Sequence, residues 1–273
     1  MQHPEFTTLS LTLADQIAEV RLNRPDKSNA INEAMWQEIR QAFAWIDATP
    51  EARVVILSGA GKNFCAGIDL AMLAGVQQRI AHADGARSRE ALRRLILDLQ
   101  DCLSSLERCA KPVIAAIQGA CVGGALDLVT CCDLRYASAD ATFSIKEIDI
   151  GMVADVGTLQ RLPRLIGEGQ ARELAYTGRT LNGLEAEKLG LANRLFATPE
   201  ELEAGVRQIA RSIAAKSPLA IRGTKEVLNY SRDHSIADGL NFVATWNAAM
   251  LLSGDLKECM QAQMEKRAPQ FAD

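Results

Sequence analysis

What this chain lacks narrows it first. Only three histidines occur, at positions 3, 82 and 234, and none stands at metal-ligand spacing or beside a nucleophile motif. Zinc-dependent and Ser-His chemistry are therefore set aside, and no metal site is expected; His234, in Ser231-Arg232-Asp233-His234-Ser235, reads as a residue at a helix start. No Walker motif is present, and no G-x-G-x-x-G follows a strand, so the common nucleotide-binding signatures are missing. No apolar stretch approaches the ~20 residues that cross a bilayer. A basic excess is also missing: 30 Lys and Arg against 34 Asp and Glu leave a net charge of −4, which argues against a nucleic-acid or anionic-membrane binder. Cysteines 65, 102, 109, 121, 131, 132 and 259 have no regular spacing, and Cys131-Cys132 is adjacent rather than C-x-x-C, so neither a redox motif nor a zinc knuckle is indicated. Mostly set in apolar segments, they read as small hydrophobes of a reducing compartment. The start, Met1-Gln2-His3-Pro4-Glu5-Phe6, has neither the basic and apolar regions of a secretory signal nor the Arg- and Ser-rich character of a transit peptide. The end, Gln270-Phe271-Ala272-Asp273, is not a peroxisomal tripeptide, and the expectation is a cytoplasmic protein.

What is present is a chain of 273 residues, 48% hydrophobic and free of low-complexity runs, enough to bury a substantial core. Leu9, Leu11 and Leu13, then Ala18, Val20 and Leu22, alternate with polar residues and predict two strands. Ile31, Met35, Ile39, Phe43 and Ile46 share one face of a helix over 29–48, and Val54 to Leu57 is a short buried strand running into Ser58-Gly59-Ala60-Gly61. A long amphipathic helix follows from about Ser88, with Arg87, Arg89, Arg93 and Arg94 on a solvated face. Pro112 to Ile117 is again a buried strand, its exit through 119–125 opens a helix that carries Asp127, and strands follow at 134–136 and 142–145. This β-β-α rhythm with glycine-rich strand exits predicts an α/β core over 1–195. Beyond about 196 only helices are predicted: one from Pro199, one over 219–231 and one over 235–252. The last carries Phe242, Val243, Trp246, Met250 and Leu251, more apolar surface than a lone helix needs, so 196–273 reads as a region of subunit contact.

Three segments bear chemistry. Phe64-Cys65-Ala66-Gly67-Ile68-Asp69 and Gly119 to Asp127 are both strand exits rich in small residues, where main-chain N–H groups can approach a ligand closely. Two such amides make an oxyanion hole, the second aided by the helix N-terminus behind it. The alternative is that these glycines serve only tight turns, and the residues alone leave the two about even. The third segment holds Glu147 and Asp155 near Gly151 and Gly157, which argue for a loop that aims both carboxyls into one cavity. Asp127, Glu147 and Asp155 all have apolar or small neighbours, and carboxyls in dry surroundings have the raised pKa values that proton transfer uses. Structural roles compete for them: Asp155 as the cap of the helix near Gly157-Thr158, and Glu147 as a salt-bridged strand residue.

Taken in order, Leu22-Asn23-Arg24-Pro25 with Asn29-Ala30, then Phe64 to Asp69, then Lys111 to Ile117 and Gly119 to Asp127, resemble the enoyl-CoA hydratase/isomerase (crotonase) superfamily over nearly the whole chain. The resemblance implies a spiral of β-β-α units followed by helices that build a trimer, often paired as a hexamer. It implies an acyl-CoA thioester substrate, with no cofactor beyond that CoA. It places the thioester oxygen on the N–H groups of Ile68 and Gly124. Within the superfamily, hydratases carry glutamates at the places of Asp127 and Glu147. An aspartate at 127, a third acid at 155, and the stretches 153–163, 229–235 and Trp246-Asn247 are similar to Δ3,5-Δ2,4-dienoyl-CoA isomerases. That likeness implies isomerisation of 3,5- to 2,4-dienoyl-CoA, as met in β-oxidation of unsaturated fatty acids. Glu147 would exchange a proton at carbon 2 and Asp155 at carbon 6, with Asp127 fixing and tuning the pair. Arg24, Lys27, Ala66 and Asp69 are candidates for contact with CoA, and Met72 to Gly85 falls where the family shapes its acyl pocket. A 2-enoyl-CoA hydratase is the alternative activity. A crotonase scaffold that binds RNA is a further one, which the acidic balance disfavours, and a Ser-His protease of related fold is weaker still.

Overall fold

A computed structural model describes residues 4–273, so the Met1-Gln2-His3 start and His3 lie outside the described residues. β1 (Leu9–Ala14) and β2 (Ile17–Leu22) form an antiparallel hairpin through Asp15 and Gln16, both at positive φ as a two-residue hairpin turn requires. Their alternation buries Leu9 and Leu11 and exposes Ser10 and Thr12, as the sequence pattern predicts. β3 (Val54–Gly59), β4 (Val113–Ile117), β6 (Leu134–Ser138) and β9 (Arg194–Phe196) continue in parallel, giving the order β1-β2-β3-β4-β6-β9. Val54 to Leu57 and all of β4 are buried because helices cover both faces, the condition under which parallel strands are continuously apolar.

On one face lie α1 (Glu33–Ala48), whose first turn is capped by Asn32, and the long α3 (Gly85–Arg108), which packs along it. Trp36, Phe43, Leu103 and Leu106 are fully buried between these helices and the sheet. On the other face α8 (Pro199–Ala214) lays Leu202, Val206 and Ala210 on Ile17, Val54, Ile56 and Ile114. The division expected after residue 195 therefore falls inside β9, and α8 belongs to the core of the sheet. The helices that extend from it are α9 (Pro218–Arg232), α10 (Ile236–Met250) and α11 (Gly254–Met264). α9 is tied down by buried Lys225, whose ammonium donates to Asp133 at 2.8 Å and to the Lys111 carbonyl at 3.0 Å.

A second, small sheet creates the site. β5 (Ala120–Val122) pairs in parallel with β7 (Thr142–Ser144), and β7 with β8 (Leu181–Asn182). Neither β5 nor this sheet was expected: the 119–125 turn reads as loop, yet three of its residues form a strand. Cys65 extends the sheet, with its N–H on the Ala120 carbonyl at 2.9 Å and its carbonyl on the Val122 N–H at 3.1 Å. α4 (Gly124–Thr130) leaves β5 directly. α5 (Thr158–Ile166), which starts where a helix was expected near Gly157-Thr158, packs beside it, and α6 (Glu168–Thr177), which the sequence pattern did not resolve, packs on α5; α2 (Leu70–Arg79) and α7 (Gly183–Leu189) complete the fold.

Candidate active site

The two strand exits meet because β5 holds them side by side. Around Ile68 the chain is clamped on both flanks: the Ile31 N–H donates to the Gly67 carbonyl at 2.8 Å, and the Asp69 N–H to the Ile31 carbonyl at 3.0 Å. That parallel bridge turns the intervening Ile68 N–H away from Ile31, and no described residue accepts from it. The buried Cys65 thiol supports the same turn, donating to the Asn29 carbonyl at 3.1 Å and accepting from the Gly67 N–H at 3.3 Å. Burial pushes this thiol up to about 12, so it is a hydrogen-bonding post rather than a nucleophile.

Opposite stands Gly124, the first residue of α4, whose N–H is likewise without a partner among the described residues, as expected at a helix start. The approach is close enough to demand glycine. A Cβ on Gly67, at φ +89°, would meet the Val122 carbonyl at 2.5 Å and the Gly124 nitrogen at 3.2 Å. One on Gly123, at φ +56°, would meet Glu147 Oε1 at 3.0 Å. Two free N–H groups thus face one space, backed by the helix N-terminus.

That space is a cavity of about 140 Å³ whose lining includes Ile68, Gly124, Glu147 and Asp155, with Trp36, Leu70, Leu99 and Met152 as apolar walls. Sequence reasoning brought these four residues together, and the structure places all four on it. Lys146 also lines it, but its ammonium is taken up by Asp149 at 2.7 Å and the Gly178 carbonyl at 2.9 Å rather than by Glu147. Without a cationic partner among the described residues, and against its desolvated walls, the Glu147 carboxyl is pushed up to about 7, chiefly by burial and next by the charge of Asp127, with a smaller push from Asp155. Asp155 is raised as well, by burial.

Asp127 lies behind this pair, almost wholly buried in α4. Its Oδ1 accepts from the Thr158 N–H at 2.5 Å, while Oδ2 has no partner among the described residues. Burial raises it to about 6, against the lowering effect of Thr158 and with a further push from Asp155. The capping role weighed for Asp155 belongs here instead: α5 begins behind Gly157, which has no side chain to cap it, and Asp127 takes its first N–H from across the core.

The CoA candidates divide. Arg24 is engaged: its Nη1 donates to the Ala30 carbonyl at 2.5 Å and pairs with Asp69 at 2.9 Å, so both clamp 24–31 against 66–69. Asp69 also caps α2 by accepting from the Ala71 N–H at 3.0 Å. Ala66 lines the cavity, and Lys27 is exposed at its 3-10 turn. Sequence reasoning did not single out Gly67, Cys65 or Met152, nor Gln100 on α3, whose side-chain amide donates to the Asp155 carbonyl at 2.6 Å. Among the described residues no group of three His, Cys, Asp or Glu side chains is arranged to hold a metal ion, and no helix is long and apolar enough to cross a membrane.

With this geometry in hand, comparison with known proteins is specific. Residues 12–273 match the enoyl-CoA hydratase/isomerase family. A peroxisomal Δ3,5-Δ2,4-dienoyl-CoA isomerase of Arabidopsis thaliana is 52% identical over 92% of this chain and 91% of its own length. A mitochondrial Δ3,5-Δ2,4-dienoyl-CoA isomerase of Homo sapiens is 45% identical over 96% of this chain and 80% of its own. The crystal structure of an enoyl-CoA hydratase from Bacillus anthracis superposes with a TM-score of 0.88 at 32% identity, covering 97% of this chain and 99% of that one. These relatives correct the expectation of a cytoplasmic protein, since the two isomerases are peroxisomal and mitochondrial. That expectation rested on targeting signals not seen at either end of the sequence, and such an absence decides no compartment.

Proposed function

The chain belongs to the enoyl-CoA hydratase/isomerase family, and we propose that it works there as a Δ3,5-Δ2,4-dienoyl-CoA isomerase, with Glu147 and Asp155 as its proton-moving pair. The protein is an enzyme that moves double bonds in acyl-CoA thioesters of unsaturated fatty acid oxidation. The observation that carries the residue assignment is the cavity itself: two free N–H groups and two carboxyls of raised pKa share one apolar space.

In a 3,5-dienoyl thioester the proton on carbon 2 is acidic only if the negative charge can rest on the thioester oxygen. The Ile68 and Gly124 N–H groups receive that oxygen and strengthen their bonds as it becomes an enolate. Glu147 takes or returns the proton at carbon 2, the C2–H electron pair extends the conjugation, and Asp155 exchanges a proton at carbon 6. One proton leaves and one arrives, with no change of oxidation state, so the reaction calls for no electron carrier. The pair must hold one proton between them, which two carboxyls both raised by burial but set in unlike surroundings can do. Asp127 is a tuner: it raises Glu147 and anchors the chain that bears Asp155.

CoA would lie along 24–31 and 66–69, where Ala66 faces the cavity and Lys27 offers its charge, while the Arg24–Asp69 pair keeps those segments in register. Subunit contact through α10 is supported by exposed Ile236, Leu240, Met250, Leu251 and Leu252, an apolar face that a trimer, alone or paired as a hexamer, would cover.

The test is direct. Purified protein mixed with a 3,5-dienoyl-CoA generates the absorbance of the extended 2,4-dienoyl thioester. Hydration of crotonyl-CoA that survives Asp155→Asn, with no isomerisation by the parent protein, would establish the hydratase instead.

A further inference from the structure

We infer that Gln100, half-buried on α3, is the positioning residue that aims Asp155; the inference rests on the isomerase reading of the site. Asp155 works from a stretch of chain with few ties of its own. Met152 bonds the Glu147 carbonyl at 2.9 Å, and α5 begins at Thr158. Between them, none of the main-chain N–H groups of residues 153–157 bonds a main-chain carbonyl among the described residues. Nor does any other described residue hydrogen-bond the Asp155 carboxylate. Its direction therefore follows from where its main chain is held.

Two side chains hold it. The Gln100 amide donates to the Asp155 carbonyl at 2.6 Å, and Asp127 accepts from Thr158 at 2.5 Å. Gln100 belongs to a stripe on α3, with Ser104 and Glu107 four and seven residues on, that faces the 155–161 stretch. Ser104 and Glu107 grip the Arg161 guanidinium at 3.2 and 2.9 Å, and that guanidinium occupies the space a Cβ on Gly157 would need. One face of one helix thus fixes the turn below Asp155 and, through Gln100, Asp155 itself. Leu99, the preceding residue, lines the cavity, so the helix that aims the acid is also a wall of the site.

The residue type fits the task. A lysine or arginine at position 100 could make the same bond, but its charge beside Asp155 would favour the ionised carboxylate and oppose the protonated state that half of the reaction needs. A neutral amide fixes the main chain and leaves the acid free to hold a proton.

The experiment is Gln100→Leu, with Gln100→Met as a second apolar variant in case the first does not fold, assayed on a 3,5-dienoyl-CoA in ordinary and deuterated buffer. The expected result is a fall in kcat of roughly 10–100-fold with KM changed by less than about twofold, the size of effect that misplacing a reacting group by about 1 Å produces. Deuterium should still enter carbon 2 at the parent rate, because Glu147 and the two N–H groups are untouched. A merely structural role would lower exchange and isomerisation together, and that outcome overturns the inference, as does isomerisation at the parent rate in a folded variant. Failure of the parent protein to isomerise at all would instead overturn the isomerase reading, and this inference with it.

Discussion

Replacing Glu147 with glutamine should make the protein more stable at pH 8 while removing its activity. The carboxyl sits against apolar walls with two further acids nearby and is raised from 4.5 to about 7. Each pKa unit corresponds to about 1.4 kcal/mol, so ionising this group in the folded protein costs about 3 kcal/mol more than in the unfolded chain. Glu147 is itself only half-buried, and screening brings the expected value to about 2 kcal/mol. The sign follows from proton binding. A carboxyl with a folded pKa above its unfolded value holds its proton more tightly when folded, so stability declines as pH rises from about 4.5 through about 7. Glutamine has no proton to lose and escapes that decline. Asp127, at about 6, titrates in both proteins and cancels to first order. Urea unfolding at pH 5 and pH 8, at one protein concentration so that subunit association is held constant, should give similar midpoints for the two proteins at pH 5 and a variant more stable by about 2 kcal/mol at pH 8. A constant offset at both values, or a variant less stable at pH 8, would refute the dry, unpaired setting assigned to Glu147.

Three further outcomes follow from the same structure. The proton-sharing pair gives kcat/KM a bell-shaped pH dependence, with activity falling as pH rises through about 7, the value for Glu147, and falling again in acid above the ordinary aspartate range because Asp155 is raised; a profile flat from pH 5 to 9 would exclude it. Gly67→Ala forces its Cβ against the Val122 carbonyl and the Gly124 nitrogen, separating the two N–H groups, and should lower kcat by about 10²–10³ in steady-state assays while a folded protein remains. Lys225→Met leaves Asp133 without its cation and two carbonyls without their donor, and should cost about 2–3 kcal/mol in unfolding experiments, less than for a fully enclosed pair because Asp133 reaches solvent.

Much of the fold was legible because local pattern and tertiary role agree. The alternation of Leu9 and Leu11 marks a hairpin with one buried face, and the unbroken Val54 to Leu57 run marks a strand covered on both. β5 was hidden because its three residues, in a glycine-rich turn, become a strand only through Thr142 to Ser144 and Cys65, far off in sequence. In the site, apolar neighbours made Asp127, Glu147 and Asp155 visible as acids in a dry place. Their division of labour was less visible. Asp127 caps α5 across 31 residues, and Gln100 reaches Asp155 across 55, so neither contact has a local signature. Arg24 shows the opposite failing: as a sequence it is a free cation, while in the fold it is committed to Asp69.

The central claim is that two acids, not one, move the proton, and Asp155→Asn in deuterated buffer tests it most directly. With a 3,5-dienoyl-CoA, the variant should still place deuterium at carbon 2 through Glu147 and the Ile68 and Gly124 N–H groups, yet form no 2,4-dienoyl product. Product formation at the parent rate would contradict the assignment of Asp155, and so would the loss of carbon-2 exchange along with the product.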